Sequence, residues 1–238
     1  MKVRIKFRKY GVLKFIGHLD VMRFFQKVMR RAEIPIAFTG GYSPHMIMSF
    51  ASPLGIGLTS DGEYVDIELS EPIDSAEAVR RMNAVTAEGI EILSFRQISE
   101  EKKATGMAIV AAADYLVSVR KGEMPEDWKE QFREFLSQKE IRILKQTKRS
   151  EQEVDIRPWI YQAEIRGEQI YLQLAAGSVQ NLKPDLVMEA FCRFRNLKEE
   201  LSFSYHRLEM YAESSEKDGQ KTLIPLEALG EEICSEKC

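Results

Sequence analysis

The chain has 238 residues, 44% hydrophobic and 30% charged, with a formal net charge of -3, the balance of one large globular domain or two small ones. No apolar run approaches the roughly 20 residues that cross a bilayer, and the basic, alternating start "MKVRIKFRKYG" lacks the apolar stretch of a signal peptide. Cys192, Cys234 and Cys238 make no disulfide framework, so the expected compartment is a reducing cytoplasm, with no membrane partner.

The first element is "KVRIKFR". Val3, Ile5 and Phe7 alternate with Lys2, Arg4, Lys6 and Arg8, the period of a half-buried strand. "HLDVMRFFQKVMRRA" changes to helical spacing, with Leu19, Met22, Phe25, Val28 and Met29 on the apolar face and Asp20, Arg23, Lys27 and Arg31 on the wet one. A strand through Ile36 to Phe38 and another piece near Ile47 to Phe50 lie either side of a Gly/Pro loop. "EYVDIELS" alternates again, "SAEAVRRMNAV" carries a serine N-cap signal, and "GIEILSFRQI" closes the series. The order β-α-β-β-α-β is that of the ferredoxin-like fold.

The polar stretch 101–112 reads as a linker, after which the order recurs. "DYLVSVRK" is a strand, "PEDWKEQFREFLSQ" a helix with Trp128, Phe132 and Phe135 on its apolar face, and "IRILKQT" a strand. "YQAEIRGEQIYLQLA" is a hairpin turning near Gly167, "KPDLVMEAFCRFRN" a helix opened by Pro184, and "LSFSYHRLEMYA" a last strand. The expected fold is α+β: tandem ferredoxin-like domains at 1–100 and 113–212, with a mobile acidic C-terminal tail at 213–238.

Charge is uneven. Residues 1–50 hold ten Lys/Arg against Asp20 and Glu33, whereas residues 51–100 hold ten Asp/Glu against Arg80, Arg81 and Arg96. The basic strand therefore has two readings. Tyr64, Asp66 and Glu68 on the adjacent strand can neutralise it by cross-strand pairing, or its basic face can meet phosphates.

Three constellations carry candidate chemistry. In "FIGHLDVMR", His18 stands at a helix start, where the dipole disfavours its cation; Asp20 sits in the first turn, within reach of Arg23. The stretch "GGYSPHMIMSFASPLGIG" combines Gly40, Gly41, Gly55 and Gly57 with Pro44, and adds Tyr42, Ser43 and His45 as hydrogen-bonding side chains. "KQTKRSEQEVDIRPWI" gathers Lys145, Lys148 and Arg149 before Asp155 and Arg157, and Asn181 and Lys183 precede a helix where backbone amides can hold an anion. Each has a bland alternative: helix capping, a wide connecting loop, a solvated charge run. No P-loop, dinucleotide fingerprint, zinc-spaced set or triple-cysteine cluster occurs, and no cofactor or metal is implied.

Taken in order, "KFIGHLDVMRFF", "GYSPH", "SFASPLGIG", "EYVDIEL", "TKRSEQEVDIRPWI" and "NLKP" resemble the radical-SAM-associated family, whose members stand beside or are fused to a separate radical SAM protein. The resemblance covers residues 1 to 212. It departs at the loop histidine, which that family follows with Pro and a basic residue, whereas Met46 and Ile47 follow His45 here. It implies a radical SAM protein as partner and singles out His18, Asp20, His45, Asp155 and Arg157. The expected site is polar, at the junction of the domains, lined by His18, His45, Lys148, Asp155 and Arg157. Three functions compete: an RNA-binding or substrate-presenting accessory protein, a stand-alone RNA-acting enzyme with His18 or His45 as general acid or base, and a structural docking partner.

Overall fold

A computed structural model of the chain describes residues 1–146, 151–178, 180–196, 201–215 and 221–234. In chain order the elements are β1 (Lys2–Lys9), α1 (His18–Arg31), β2 (Met48–Phe50), β3 (Thr59–Glu68), α2 (Ser75–Asn83), β4 (Ile90–Gln97), α3 (Gly106–Ile109), β5 (Val110–Lys121) and α4 (Trp128–Ser137). Then come β6 (Arg142–Gln146), β7 (Glu151–Asp155), β8 (Ile160–Arg166), β9 (Gln169–Ala175), α5 (Pro184–Phe194), β10 (Ser202–Ser215), β11 (Lys221–Pro225) and β12 (Glu231–Glu232). The fold is α+β with mostly antiparallel strands. It has two compact units, Met1–Ala111 with Glu209–Cys238, and Ala112–Leu208. No helix among the described residues is long and apolar enough to cross a membrane.

In the first unit β1 lies between β3 and β4, antiparallel to both, and β2 pairs with β3 through Met48↔Ile67 and Phe50↔Val65. The segment 36–38 contributes single bridges only, Ile36↔Leu69 and Phe38↔Met46. Val3, Ile5 and Phe7 face Val21, Phe25, Val28 and Met29 of α1, with the Phe7, Phe25 and Phe50 rings 4.7 to 6.2 Å apart. Leu19, expected on the apolar face, is 61% exposed, because the sheet lies under Val21 and Phe25 one turn on. The cap of α2 is Asp74, which accepts from the Glu77 amide at 3.0 Å. Ser75 is instead buried, donating its hydroxyl to the Phe95 carbonyl at 2.5 Å.

The opposite face of β1 is ion-paired. The Arg4 guanidinium forks onto the Asp66 carboxylate at 2.8 and 3.0 Å, and donates to the carbonyls of Ala104 and Leu226 at 2.9 and 3.2 Å. Asp66 also accepts from the Gly106 amide at 2.6 Å. A Cβ at Gly106 would meet that of Ala51 at 2.8 Å, so only glycine admits this approach. Lys6 bridges Glu209 and Glu227 at 2.7 and 2.9 Å, and Arg8 pairs with Asp61 and Glu91 at 3.0 and 3.2 Å. Of the two readings of the basic strand, neutralisation is the one the structure adopts, but of the expected carboxylates only Asp66 takes part, and Asp61, Glu91, Glu209 and Glu227 supply the rest.

That pairing draws in the segment expected to be a mobile acidic tail. β10 continues to Ser215 and β11 returns along it, Tyr211↔Pro225. Leu226 is fully buried, and β12 adds to β4. Ile233 exchanges hydrogen bonds with Ser75 at 2.8 and 2.9 Å. Acidic composition here serves to neutralise, through Glu227 on Lys6 and Glu232 on Arg96. The stretch read as a linker is likewise in contact, through Ala104 and Gly106.

In the second unit β5 pairs with β9, and β9 with β8 across a tight turn at Gly167, whose φ is 64°. β10 lies on the other side of β5. Phe132, Phe135 and Phe191 form the aromatic centre between α4 and α5. β6, expected as a strand, pairs with β7 in a separate hairpin, Arg142↔Asp155; the β7 stretch, 151–155, was expected to belong to a charged loop.

Removing one partner of a buried pair leaves the other charge uncompensated. Asp66→Ala is expected to cost about 3–5 kcal/mol, read as a lowered urea midpoint with little change in slope.

Candidate functional site

The polar stretch around His45 divides into two turns. The first, 39–45, closes on itself: the Thr39 amide donates to the His45 carbonyl at 2.9 Å, and the His45 amide to the Thr39 hydroxyl at 3.1 Å. The His45 ring lies 3.1 Å from that same hydroxyl through Nδ1. Gly41 at φ 99° allows the reversal, and Tyr42 at its tip is fully exposed, with Ser43 exposed beside it.

The second turn, 52–57, lies over the start of α1. The Gly57 amide, at φ 90°, donates to the Lys14 carbonyl at 2.7 Å, and Pro53 and Leu54 reach across a narrow space lined by Phe7, Lys9, His18 and Glu63. Here the strand pattern is broken. Lys9 follows Val3, Ile5 and Phe7 in phase, and Glu63 precedes Val65 and Ile67, so both charges sit on the apolar face. They are 2% and 4% exposed. The Lys9 ammonium donates to the Ile16 carbonyl at 3.0 Å. Burial holds it below the ordinary lysine range, partly opposed by Glu63.

His18 begins α1 after Gly17, which supplies no side-chain cap. Its ring meets Phe50 edge-on, 5.0 Å between centroids. Burial, then the Lys9 charge, depress its basicity, so the imidazole is neutral at pH 7. His18 thus shares a polar cluster with Lys9 and Glu63. Sequence reading passed over both, although a charge in the apolar phase of a strand was the available signal.

The remaining candidates have local partners. Asp20 and Arg23 are exposed and pair at 3.5 Å. Asp155 accepts from the Ile141 and Arg157 amides at 2.8 and 3.0 Å. The Arg157 guanidinium donates to the carbonyls of Leu136 and Ile160 at 3.1 and 3.3 Å. These two residues fasten the β6–β7 hairpin to its surroundings in the second unit. Lys145 lies on β6 opposite Gln152. Lys148 and Arg149 lie outside the described residues. Asn181 and Lys183 are exposed ahead of α5, and Lys183, at the cap position, makes no capping hydrogen bond.

One cationic surface in the first unit is left open. Arg23, Lys27, Arg30 and Arg31 are all exposed on α1, spaced i, i+4, i+7 and i+8 along one side. Among the described residues, Lys27, Arg30 and Arg31 have no carboxylate within ion-pair distance. The last two also favour the negative end of the helix dipole, which accounts for two of the four without a ligand.

The histidine assignment has a direct check. By NMR titration, His18 is expected to change charge below its ordinary value of 6.5, and Lys9→Met to raise that midpoint by removing a neighbouring cation. Because the folded value is the lower one, the unfolded chain binds the proton more readily, and the His18 contribution to stability is lost as pH falls through and below 6.5.

No curated protein matches the chain significantly. Among solved structures, a chain from "Crystal Structure of a Cbf5-Nop10-Gar1 Complex" is similar over 87% of this chain, with 14% identity and a TM-score of 0.45. This chain spans 48% of that one, and a likeness at this level supports no functional argument. A family model matches residues 2–184. The chain therefore belongs to the family described as an uncharacterized protein conserved in bacteria, DUF2344.

Proposed function

We propose that the chain is an RNA-binding, substrate-presenting accessory protein that works beside a radical SAM enzyme. The open cationic side of α1 carries this reading. Arg4, Lys6 and Arg8, the strand cations that could have met phosphate, are occupied by carboxylates. The stripe on α1 is exposed, and at one residue per 1.5 Å of helix rise it extends for about 12 Å, enough to follow a few backbone phosphates. The order β4-β1-β3-β2 in the first unit, and β10-β5-β9-β8 in the second, supports a ferredoxin-like reading of each. The radical SAM partner rests on the resemblance of the ordered motif series.

Binding of single-stranded RNA is expected to weaken with salt. In Lys27→Ala/Arg30→Ala/Arg31→Ala, the slope of log affinity against log salt is expected to fall by about 2, at roughly 0.7 per lost phosphate contact. Arg80→Ala, whose guanidinium already pairs with Glu77, leaves the slope unchanged. An unaltered slope in the triple variant, or no binding at low salt, rejects the interface. Co-elution with a purified radical SAM enzyme tests the partner separately.

A further inference from the structure

The cluster beneath the second turn has no place in RNA binding by α1. A buried lysine could serve only to cap the Ile16 carbonyl and balance Glu63, but apolar packing of similar volume usually stabilises as well or better. Nor does that reading use the neutral imidazole at the same cavity. Together the three groups form a chemically matched set: an amine withdrawn from water, a ring that both accepts and donates a proton, and a carboxylate to balance a fixed cation.

We infer that Lys9 is an amine nucleophile that condenses with the carbonyl carbon of a small aldehyde or ketone, with His18 carrying protons and Glu63 as counter-ion. The Lys9 amine adds through its lone pair to the carbonyl carbon, and its proton passes by way of His18 to the oxygen. The carbinolamine hydroxyl then takes back the proton that the Lys9 ammonium gave to His18 before the attack, and leaves as water as the C=N bond forms. The iminium carries the same single positive charge as the ammonium, so Glu63 balances both states. Hydrolysis reverses every step, and no oxidant or reductant is involved.

The space beneath Pro53 and Leu54 has room for about one water-sized group, so substrate enters when the 52–57 turn swings aside. In the closed arrangement the turn is held by the Gly57–Lys14 hydrogen bond, with Gly57 in the left-handed region that glycine readily adopts. Carbonyl capture would hold a substrate reversibly without consuming it.

The test uses the full chain with acetaldehyde as probe and cyanoborohydride as trap, followed by peptide mapping of each lysine. Lys9 is expected to be alkylated measurably faster than exposed Lys27 and Lys183, because burial favours its free amine. His18→Gln is expected to slow Lys9 alone by about tenfold or more, with circular dichroism confirming the fold. Alkylation of wild-type Lys9 no faster than of the exposed lysines overturns the inference without reference to any variant. Unchanged Lys9 labelling in folded His18→Gln removes the imidazole from the step. Neither result bears on RNA binding by α1.

Discussion

The Arg4–Asp66 pair is the constraint on which the first unit depends. It joins the two central strands β1 and β3, and the atoms left over on each group reach out to other segments. Arg4 takes the carbonyls of Ala104 and Leu226, and Asp66 takes the amide of Gly106. Two stretches that look like connection and tail are thus fixed by one ion pair. The cost of desolvating two charges is offset because nearly every polar atom of the pair is hydrogen-bonded, the condition under which a buried pair is tolerated.

Parity makes the two faces of the sheet easy to separate, and makes exceptions informative. Arg4, Lys6 and Arg8 are charges in the polar phase; Arg4 and Arg8 find carboxylates on the neighbouring strands, and Lys6 finds Glu209 and Glu227 from segments distant in the chain. Lys9 and Glu63 are charges in the apolar phase, and they gather under the start of α1 with a histidine. The same chain therefore uses lysine in two ways: Lys6 is held charged between Glu209 and Glu227, and Lys9 is held where charge is disfavoured.

Much of the local structure was legible in the sequence, because period-2 and period-3.6 patterns report directly on burial. The β1 and β3 strands, the buried face of α4 from Trp128 to Phe135 and the start of α5 at Pro184 follow from those patterns. What escaped depends on contacts distant in the chain. Polarity between 213 and 234 resembles disorder until Lys6 and Arg96 are seen beside Glu227 and Glu232. Asp155 and Arg157 look like ligand groups, since nothing in sequence indicates that the Ile141 amide and the Leu136 carbonyl will meet them. Lys9 and Glu63 were missed for the opposite reason: they lie in strands whose alternation invites attention to the hydrophobic members.

The discontinuity of the first unit has a consequence for biosynthesis. Arg4 and the Leu226 carbonyl are separated by 222 positions, and the whole of the second unit is translated between them. At roughly 5–20 residues per second, β1 waits about 10–45 s on the ribosome before the segment that completes its polar face is made. For that interval Lys6 on the polar face of β1 lacks both its carboxylates, Glu209 and Glu227, while 112–208 can already fold. The inner unit is finished first and the outer one last, so synthesis of the segment from Glu209 onward, rather than emergence of the N-terminus, sets the moment at which the first unit becomes whole.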